Sequence, residues 1–349
     1  MLRKFAAIVL TLVAVLAAGW LALKRPDIPY GTLEAEYRVP ASDFLTISGD
    51  VKIHYTDEGP RDAPVLVLVH GFSSSLHTWR PWAEDLQDAY RVITLDLPGH
   101  GLSRVPEDRK VSIDYYVETL DEVMRRIGVE RFSLAGSSMG GNVAWQYALA
   151  HPDALDSLVL VDAAGWPDSD GAGTPIIMRI LRIPVARTLI KDLDLSRLIE
   201  DGLKKSVADP LFVSTQMTER YAALSRAPGH RDALLHIAAT GNARERASQG
   251  RLSAIAVPTL ILWGEQDGLI PVSHAERFAN AIPNAVAITY PDAGHLPQEE
   301  VAAESVADLR AFLDQYGSGA PAISPLDNQA TADSSQPLGG PAGGALRPR

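Results

Sequence analysis

Short runs of consecutive apolar residues recur along the middle of the chain, separated by stretches whose apolar residues return every three to four positions. Val65-Leu66-Val67-Leu68-Val69 has no polar member, a pattern suited to a strand buried on both faces of a parallel sheet. Comparable runs occupy Arg91–Asp96, Phe132–Ala135, Leu158–Asp162, Thr259–Trp263 and Val286–Tyr290, with helical spacing over Ile113–Ile127 and Asn142–Ala150. Upstream, Phe44–Ser48 and Val51–Thr56 are β-rich and flank Gly49-Asp50, a two-residue hairpin signal. Alternation of this kind predicts an α/β fold, a mostly parallel central sheet flanked by helices. It stops across 165–251, where amphipathic stretches such as Ile176–Leu193 and Asp232–Ala239 predict a helical insertion. Ligands of open α/β sheets bind beyond the carboxyl ends of the strands, so such an insertion can roof a site.

The two ends follow other patterns. Phe5 to Leu23 is 19 residues without a charge, between Arg3-Lys4 and Lys24-Arg25. As a helix it would span roughly 28 Å, near the ~30 Å hydrocarbon core of a bilayer. Residues 1–25 are therefore expected to form a transmembrane anchor, with the membrane as a partner. The free amine tips the evenly charged flanks towards an N-terminus inside and the main body on the extracytoplasmic side. The alternative is a cleaved signal ending near Ala17-Ala18-Gly19 and a secreted protein. Of the 33 residues from Gly317 to Arg349, 21 are Gly, Pro, Ala or Ser and none is aromatic, so this segment is expected to be a disordered tail. The expected organisation is an anchor over 1–25, a linker over 26–43, core over 44–164 and 252–316, the insertion over 165–251, and the tail over 317–349.

Composition changes this picture in two places. The 349 residues carry a net charge of −11. Setting aside the four cations of residues 1–25 leaves −15 on the rest, which argues against a nucleic-acid partner. There is no cysteine, which excludes disulfides, thiolate metal sites, cysteine catalysis and lipidation of an N-terminal Cys. No H-E-x-x-H stretch occurs, and neither a metal nor a cofactor is expected.

The candidate chemistry lies at predicted strand ends. Gly136-Ser137-Ser138-Met139-Gly140 follows the strand Phe132–Ala135 and precedes a helix, which is the context a G-x-S-x-G turn requires to hold Ser138 exposed. A serine hydroxyl is a poor nucleophile at neutral pH and needs a general base. Among nine histidines, His295 follows the last strand in Asp292-Ala293-Gly294-His295-Leu296, while His70 and His100 also stand in strand-end loops. A base needs a carboxylate to fix its tautomer. Asp267, in Gly264-Glu265-Gln266-Asp267, follows Thr259–Trp263, and Asp162 at the end of Leu158–Asp162 is the alternative acid. His70-Gly71-Phe72 follows Val65–Val69, so the backbone N–H groups of Phe72 and Met139 are the natural donors of an oxyanion hole.

Taken with Asp96-Leu97-Pro98-Gly99-His100-Gly101-Leu102-Ser103, these segments resemble the α/β-hydrolase-fold serine hydrolases from about Phe44 to Tyr316. An N-terminal membrane helix before such a core is similar to the arrangement of membrane-anchored monoacylglycerol-lipase-like members. The resemblance implies Ser138 as nucleophile, Asp267 as acid, His295 as base, and a cap domain at the insertion. Because Ser138 stands where some enzymes of this fold carry an Asp nucleophile, dehalogenase and epoxide hydrolase chemistry is disfavoured. What remains is hydrolysis of carboxylic esters, hydrophobic acyl esters above all, with hydrolytic C–C cleavage of diketone-like substrates or other acyl transfer as alternatives. A non-catalytic ligand-binding protein on the same scaffold is the reading from a different class.

Overall fold

The computed structural model of the chain describes residues 2–106, 110–167, 183, 190–240, 246–317 and 346–348. Its elements in chain order begin with α1 (Leu2–Leu23), α2 (Tyr30–Tyr37), β1 (Ser42–Ile47), β2 (Val51–Glu58), β3 (Val65–Val69), α3 (Arg80–Leu86) and β4 (Arg91–Leu95). There follow α4 (Ile113–Arg126), β5 (Phe132–Ser137), α5 (Met139–Ala150) and β6 (Leu155–Val161). Next come α6 (Ser196–Ser206), α7 (Thr215–Ser225), α8 (His230–Thr240) and α9 (Gln249–Leu252). The chain closes with β7 (Thr259–Gly264), α10 (Ser273–Ala281), β8 (Ala285–Tyr290), α11 (Pro297–Glu300), α12 (Ala302–Tyr316) and β9 (Leu346–Pro348).

The strands form one sheet in the order β1-β2-β4-β3-β5-β6-β7-β8-β9. β1 pairs antiparallel with β2, and β2 with β4, while β3 to β9 run parallel. The all-apolar runs have the expected cause. In β3, Val67 and Val69 join the core beneath α4, α5 and α10, while Leu66 and Leu68 join a second core with Trp79, Trp82 and Phe312. Side chains alternate across a strand, so a sheet covered on both faces needs an apolar residue at every position.

The membrane expectation at the N-terminal end is corrected. A helix does form over Leu2–Leu23, but among the described residues no helix is long and apolar enough to cross a membrane. The transmembrane anchor, the membrane as partner and the extracytoplasmic placement fall with it. The physical reason at the helix exit is that the basic flank is committed to protein. Lys24 pairs with Asp192 at 3.2 Å, Arg25 with Asp194 at 3.1 Å, and the Arg25 N–H donates to the Asp192 carbonyl at 2.7 Å. The expected linker contains α2, whose Tyr30, Leu33 and Tyr37 share a face at helical spacing. Leu33 is buried with Leu102, Leu224 and Ala227. Within the tail, 318–345 and 349 lie outside the described residues, yet Leu346–Pro348 pairs with β8. Without it β8 would present an unpaired row of N–H and C=O groups at the sheet edge.

In the insertion, α6, α7 and α8 stand against the carboxyl ends of the strands, whereas 168–182 and 184–189, with most of the Ile176–Leu193 stretch, lie outside the described residues. His230 joins α8 to the core. Its ring contacts the Tyr30 hydroxyl, the Ser103 carbonyl and the Leu224 carbonyl, each at 2.9 Å. Burial outweighs the carbonyls and pushes this imidazole down to about 4. The unfolded chain, with an ordinary histidine near 6.5, therefore takes up the proton first as pH falls. Stability from this group is expected to be complete above about pH 6.5 and lost progressively towards pH 4. Urea midpoints measured across that window should fall, with a smaller fall in His230→Gln; an unchanged slope in the variant would refute the assignment.

Candidate active site

β5 ends on Ser137, and the chain then turns so tightly that Ser138 adopts φ 54°, ψ −116°. A non-glycine residue at positive φ is costly and persists only where its surroundings over-determine it. Here the Ser138 N–H donates to the Val161 carbonyl at 2.9 Å, and its carbonyl accepts the N–H groups of Asn142 at 3.1 Å and Ala164 at 2.9 Å. The glycines permit this packing. A Cβ on Gly136 would lie 2.2 Å from the Gly140 carbonyl oxygen, and one on Gly140 would lie 2.1 Å from that of Val69. Ser138 stays half-buried at the head of α5.

The acid and base candidates come together from the ends of β7 and β8. Asp267 Oδ1 accepts the N–H groups of Leu269 at 2.7 Å and Ile270 at 3.0 Å, an Asx-type turn that fixes the carboxylate. His295 Nδ1 meets Asp267 Oδ2 at 2.6 Å, with both side chains nearly or fully buried. A carboxylate accepts only, so Nδ1 carries the proton and Nε2 is the acceptor nitrogen of the neutral ring. Asp162 is buried behind this pair, and Asp162, Asp267 and His295 each bring a polar atom to within 4.8 Å of the others. That spacing would admit a cation, but His295 Nδ1 is already bonded to Asp267. The histidine's bond goes to Asp267 and not to Asp162.

The Gly71 backbone lies directly on Ser138: a Cβ at Gly71 would be 3.1 Å from the Ser138 Cβ. His70 braces that loop and is not paired with an acid. Its Nδ1–H donates to the Gly71 carbonyl at 2.7 Å, and its Nε2 accepts the Leu97 N–H at 3.0 Å. Burial lowers its proton affinity, which keeps it neutral as that pattern demands. His100 packs on His70 with ring centres 5.1 Å apart. Phe72 borders the same cavity as Ser138. Met139 is the first residue of α5, so its N–H is among those a helix leaves without an internal partner.

Ser138 and His295 share a cavity of about 650 Å³ with Gly71, Phe72, Thr78 and Tyr221. Its far wall is apolar and comes largely from the insertion: Leu195, Leu198, Ile199 and Leu203 from around α6, with Leu234 and Leu235 from α8. Trp79 and Trp82 pack in the core, away from this wall.

Two glutamates escaped the sequence reading, and a third acid, Asp96, was quoted there without its partners. Glu300 receives the N–H groups of Gly294, Leu296 and Ala208 at 2.7 to 3.1 Å, bracketing His295 on both sides. Glu299, half-buried and bonded by Thr78 at 2.5 Å, is pushed up to about 7 by burial, which the Thr78 bond and Arg220 only partly offset. Asp96 binds His54 at 2.6 Å and the N–H groups of Leu76 and Leu102 at 2.7 Å. Burial would raise its proton affinity, but His54 and these donors hold it well below the carboxylate range. The only signal for the glutamates was an acidic pair at a helix start, which by default reads as a solvated first turn.

The alpha/beta hydrolase fold family matches residues 64–302. The chain is 30% identical over 299 residues to a dihydrolipoyllysine-residue acetyltransferase component of an acetoin cleaving system from Cupriavidus necator, over 80% of this chain and 74% of that protein. It is 29% identical over 278 residues to a 2-hydroxy-6-oxononadienedioate/2-hydroxy-6-oxononatrienedioate hydrolase from Paraburkholderia phymatum, over 76% of this chain and 92% of that one. Among solved structures, a thermophilic esterase from Thermogutta terrifontis superposes with a TM-score of 0.67 at 26% identity, over 79% of this chain and 98% of the esterase.

Removing the Glu300 carboxylate would strand three N–H groups, and hydrogen bonds to a charged group contribute about 1.5–3 kcal/mol each. Glu300→Ala is expected to lose at least ~2 kcal/mol of unfolding free energy, read from urea titration. A variant as stable as the parent would show that the His295 loop does not depend on this anchor.

Proposed function

We propose, from the premise that the chain belongs to the alpha/beta hydrolase fold family, that it is a serine hydrolase cleaving carboxylic esters with a hydrophobic acyl part. The observation that carries this reading is one cavity bordered by Ser138 and His295 at one end and by apolar side chains of the insertion elsewhere. We read 165–251 as a cap whose helices form the acyl wall.

In this mechanism His295 Nε2 takes the Ser138 hydroxyl proton as Oγ attacks the ester carbonyl. The N–H groups of Phe72 and Met139 stabilise the tetrahedral oxyanion. His295 then protonates the departing alcohol, leaving an acyl-enzyme on Ser138. Water, deprotonated by His295, attacks that ester, and the acid leaves with Ser138 restored. Asp267 holds the Nδ1–H tautomer and stabilises the imidazolium that forms twice per cycle.

Hydrolytic C–C cleavage is the second reading, favoured by the 29% identity to the Paraburkholderia hydrolase, which spans 92% of that protein. It uses the same nucleophile and base, so substrate preference separates the two.

A fluorophosphonate probe is expected to label the parent and leave Ser138→Ala unlabelled. Ser138→Ala should also lower kcat on p-nitrophenyl esters by about 10⁴-fold or more. Near-parental turnover in that variant would remove the assignment. Across acyl chains from C2 to C16, rates should favour chains longer than C4. Preference for C2–C4 would remove the hydrophobic acyl part, and faster turnover of a diketone-like substrate would favour the C–C reading.

A further inference from the structure

Asp162 follows β6 directly, in a conformation that few residue types tolerate, φ 44°, with its side chain fully buried. The mechanism above does not use it. Its Oδ1 accepts the Gly264 N–H at 3.1 Å, and no donor among the described residues reaches Oδ2. What faces it is a second carboxyl group. Asp162 and Asp267 lie with His295 in one cluster of polar atoms within 4.8 Å.

The charged surroundings are acidic on every side but one. Asp267 comes from the loop after β7 and Glu300 from α11, and His295 from the loop after β8 is the one basic group in the cluster. Two carboxylates cannot bond to each other without a proton between them, and like charges this close in a dry site cannot both persist. Asp267 is the member that already holds the donors. Two backbone N–H groups and the His295 ring all donate to it. Asp162 has one backbone donor and an oxygen left over. Burial first, and the Asp267 charge next, push its carboxyl well above the usual range.

We propose that Asp162 is a protonated carboxylic acid at neutral pH and donates a hydrogen bond to the Asp267 carboxylate. The inference rests on Asp267 and His295 acting as acid and base. Asp162 is then a positioning residue, since it touches Asp267 and not the substrate. Its proton draws negative charge away from the Asp267–His295 bond and so weakens the base slightly. The protein thereby avoids a second buried negative charge behind the imidazole. The arrangement supplies the missing partner of Asp162 Oδ2 without any added group.

The test is the pH profile of kcat/KM on a soluble p-nitrophenyl ester for the parent, Asp162→Asn, Asp162→Ala and Asp267→Asn. An asparagine keeps the shape, the tolerance of positive φ and an N–H donor towards Asp267. Asp162→Asn should keep the acid limb within ~0.3 of its parental position, with kcat/KM reduced less than tenfold, while Asp162→Ala should move the limb up by about 0.5–1. A downward shift of ~1 in Asp162→Asn would mean that an ionised Asp162 had been lost. A loss of about 10³-fold or more in Asp162→Asn, with Asp267→Asn nearly as active as the parent, would make Asp162 itself the acid. An unmoved limb in Asp162→Ala would reduce Asp162 to a space-filler. Each of these three results overturns the proposal. If Asp162→Ala does not fold, infrared spectroscopy decides without activity: the carbonyl stretch of a protonated carboxylic acid should be present in the parent at neutral pH and lost in Asp162→Asn. Fluorophosphonate labelling of the parent keeps the two levels apart, because its absence would remove the nucleophile reading while leaving the infrared result to test the shared proton.

Discussion

The site depends on a backbone contact in which no side chain could take part. At the turn after β5, Gly140 meets the carbonyl oxygen of Val69 and Gly136 meets that of Gly140, each where a Cβ would overlap by more than an ångström. That closeness sets β3 and β5 as neighbours to their last residues and folds the Gly71 backbone onto Ser138. It also leaves Ser138 at positive φ, with its peptide groups bonded to Val161, Asn142 and Ala164. The cost of that conformation, on the order of 1–3 kcal/mol, is met by backbone bonds to the end of β6, the first turn of α5 and the loop after β6. The serine's position is therefore a property of the sheet.

Around that point buried polar groups are tied to one another instead of to water. Asp96 gathers His54, Leu76 and Leu102, while His70 links Gly71 to Leu97. Glu300 collects three N–H groups about His295. In a low-dielectric interior such networks hold their geometry firmly when every member is satisfied, and each loses much if one bond is broken. The loops after β3, β4 and β8 are thus fixed from behind, although loops on a protein surface are ordinarily its mobile parts.

This explains which features were legible in the sequence. The strands were, because burial on both faces demands apolar residues at every position, and Val65–Val69 shows the rule without exception. The Gly136–Gly141 turn was also legible, since a steric requirement for glycine is written residue by residue. Asp267 and His295 could be placed at strand ends from spacing, but their 2.6 Å bond required the chain to be folded. Glu299, Glu300 and Asp96 could not be told from solvated acids, because long-range donors such as Ala208, 92 positions from Glu300, leave no local trace. The charge-free run before Lys24 misled for a related reason. Its length and apolarity are local properties, whereas the pairing of Lys24 and Arg25 with Asp192 and Asp194 is not.

The same long-range bonds tie the insertion to His295. The His295 N–H donates to the Ser206 carbonyl at 2.5 Å, and the Ala208 N–H donates to Glu300, which also holds Gly294 and Leu296. Residues 206–208, where α6 ends, are therefore part of the frame that orients the imidazole. Moving them away would leave a buried N–H beside His295 without its acceptor, at about 1–3 kcal/mol for each such group. Among the described residues, Leu234 and Leu235 of α8 carry no comparable backbone bond to the His295 loop. The end of α6 and the His295 loop thus share one set of hydrogen bonds, so the part of the insertion nearest His295 is held by the backbone of the loop it covers.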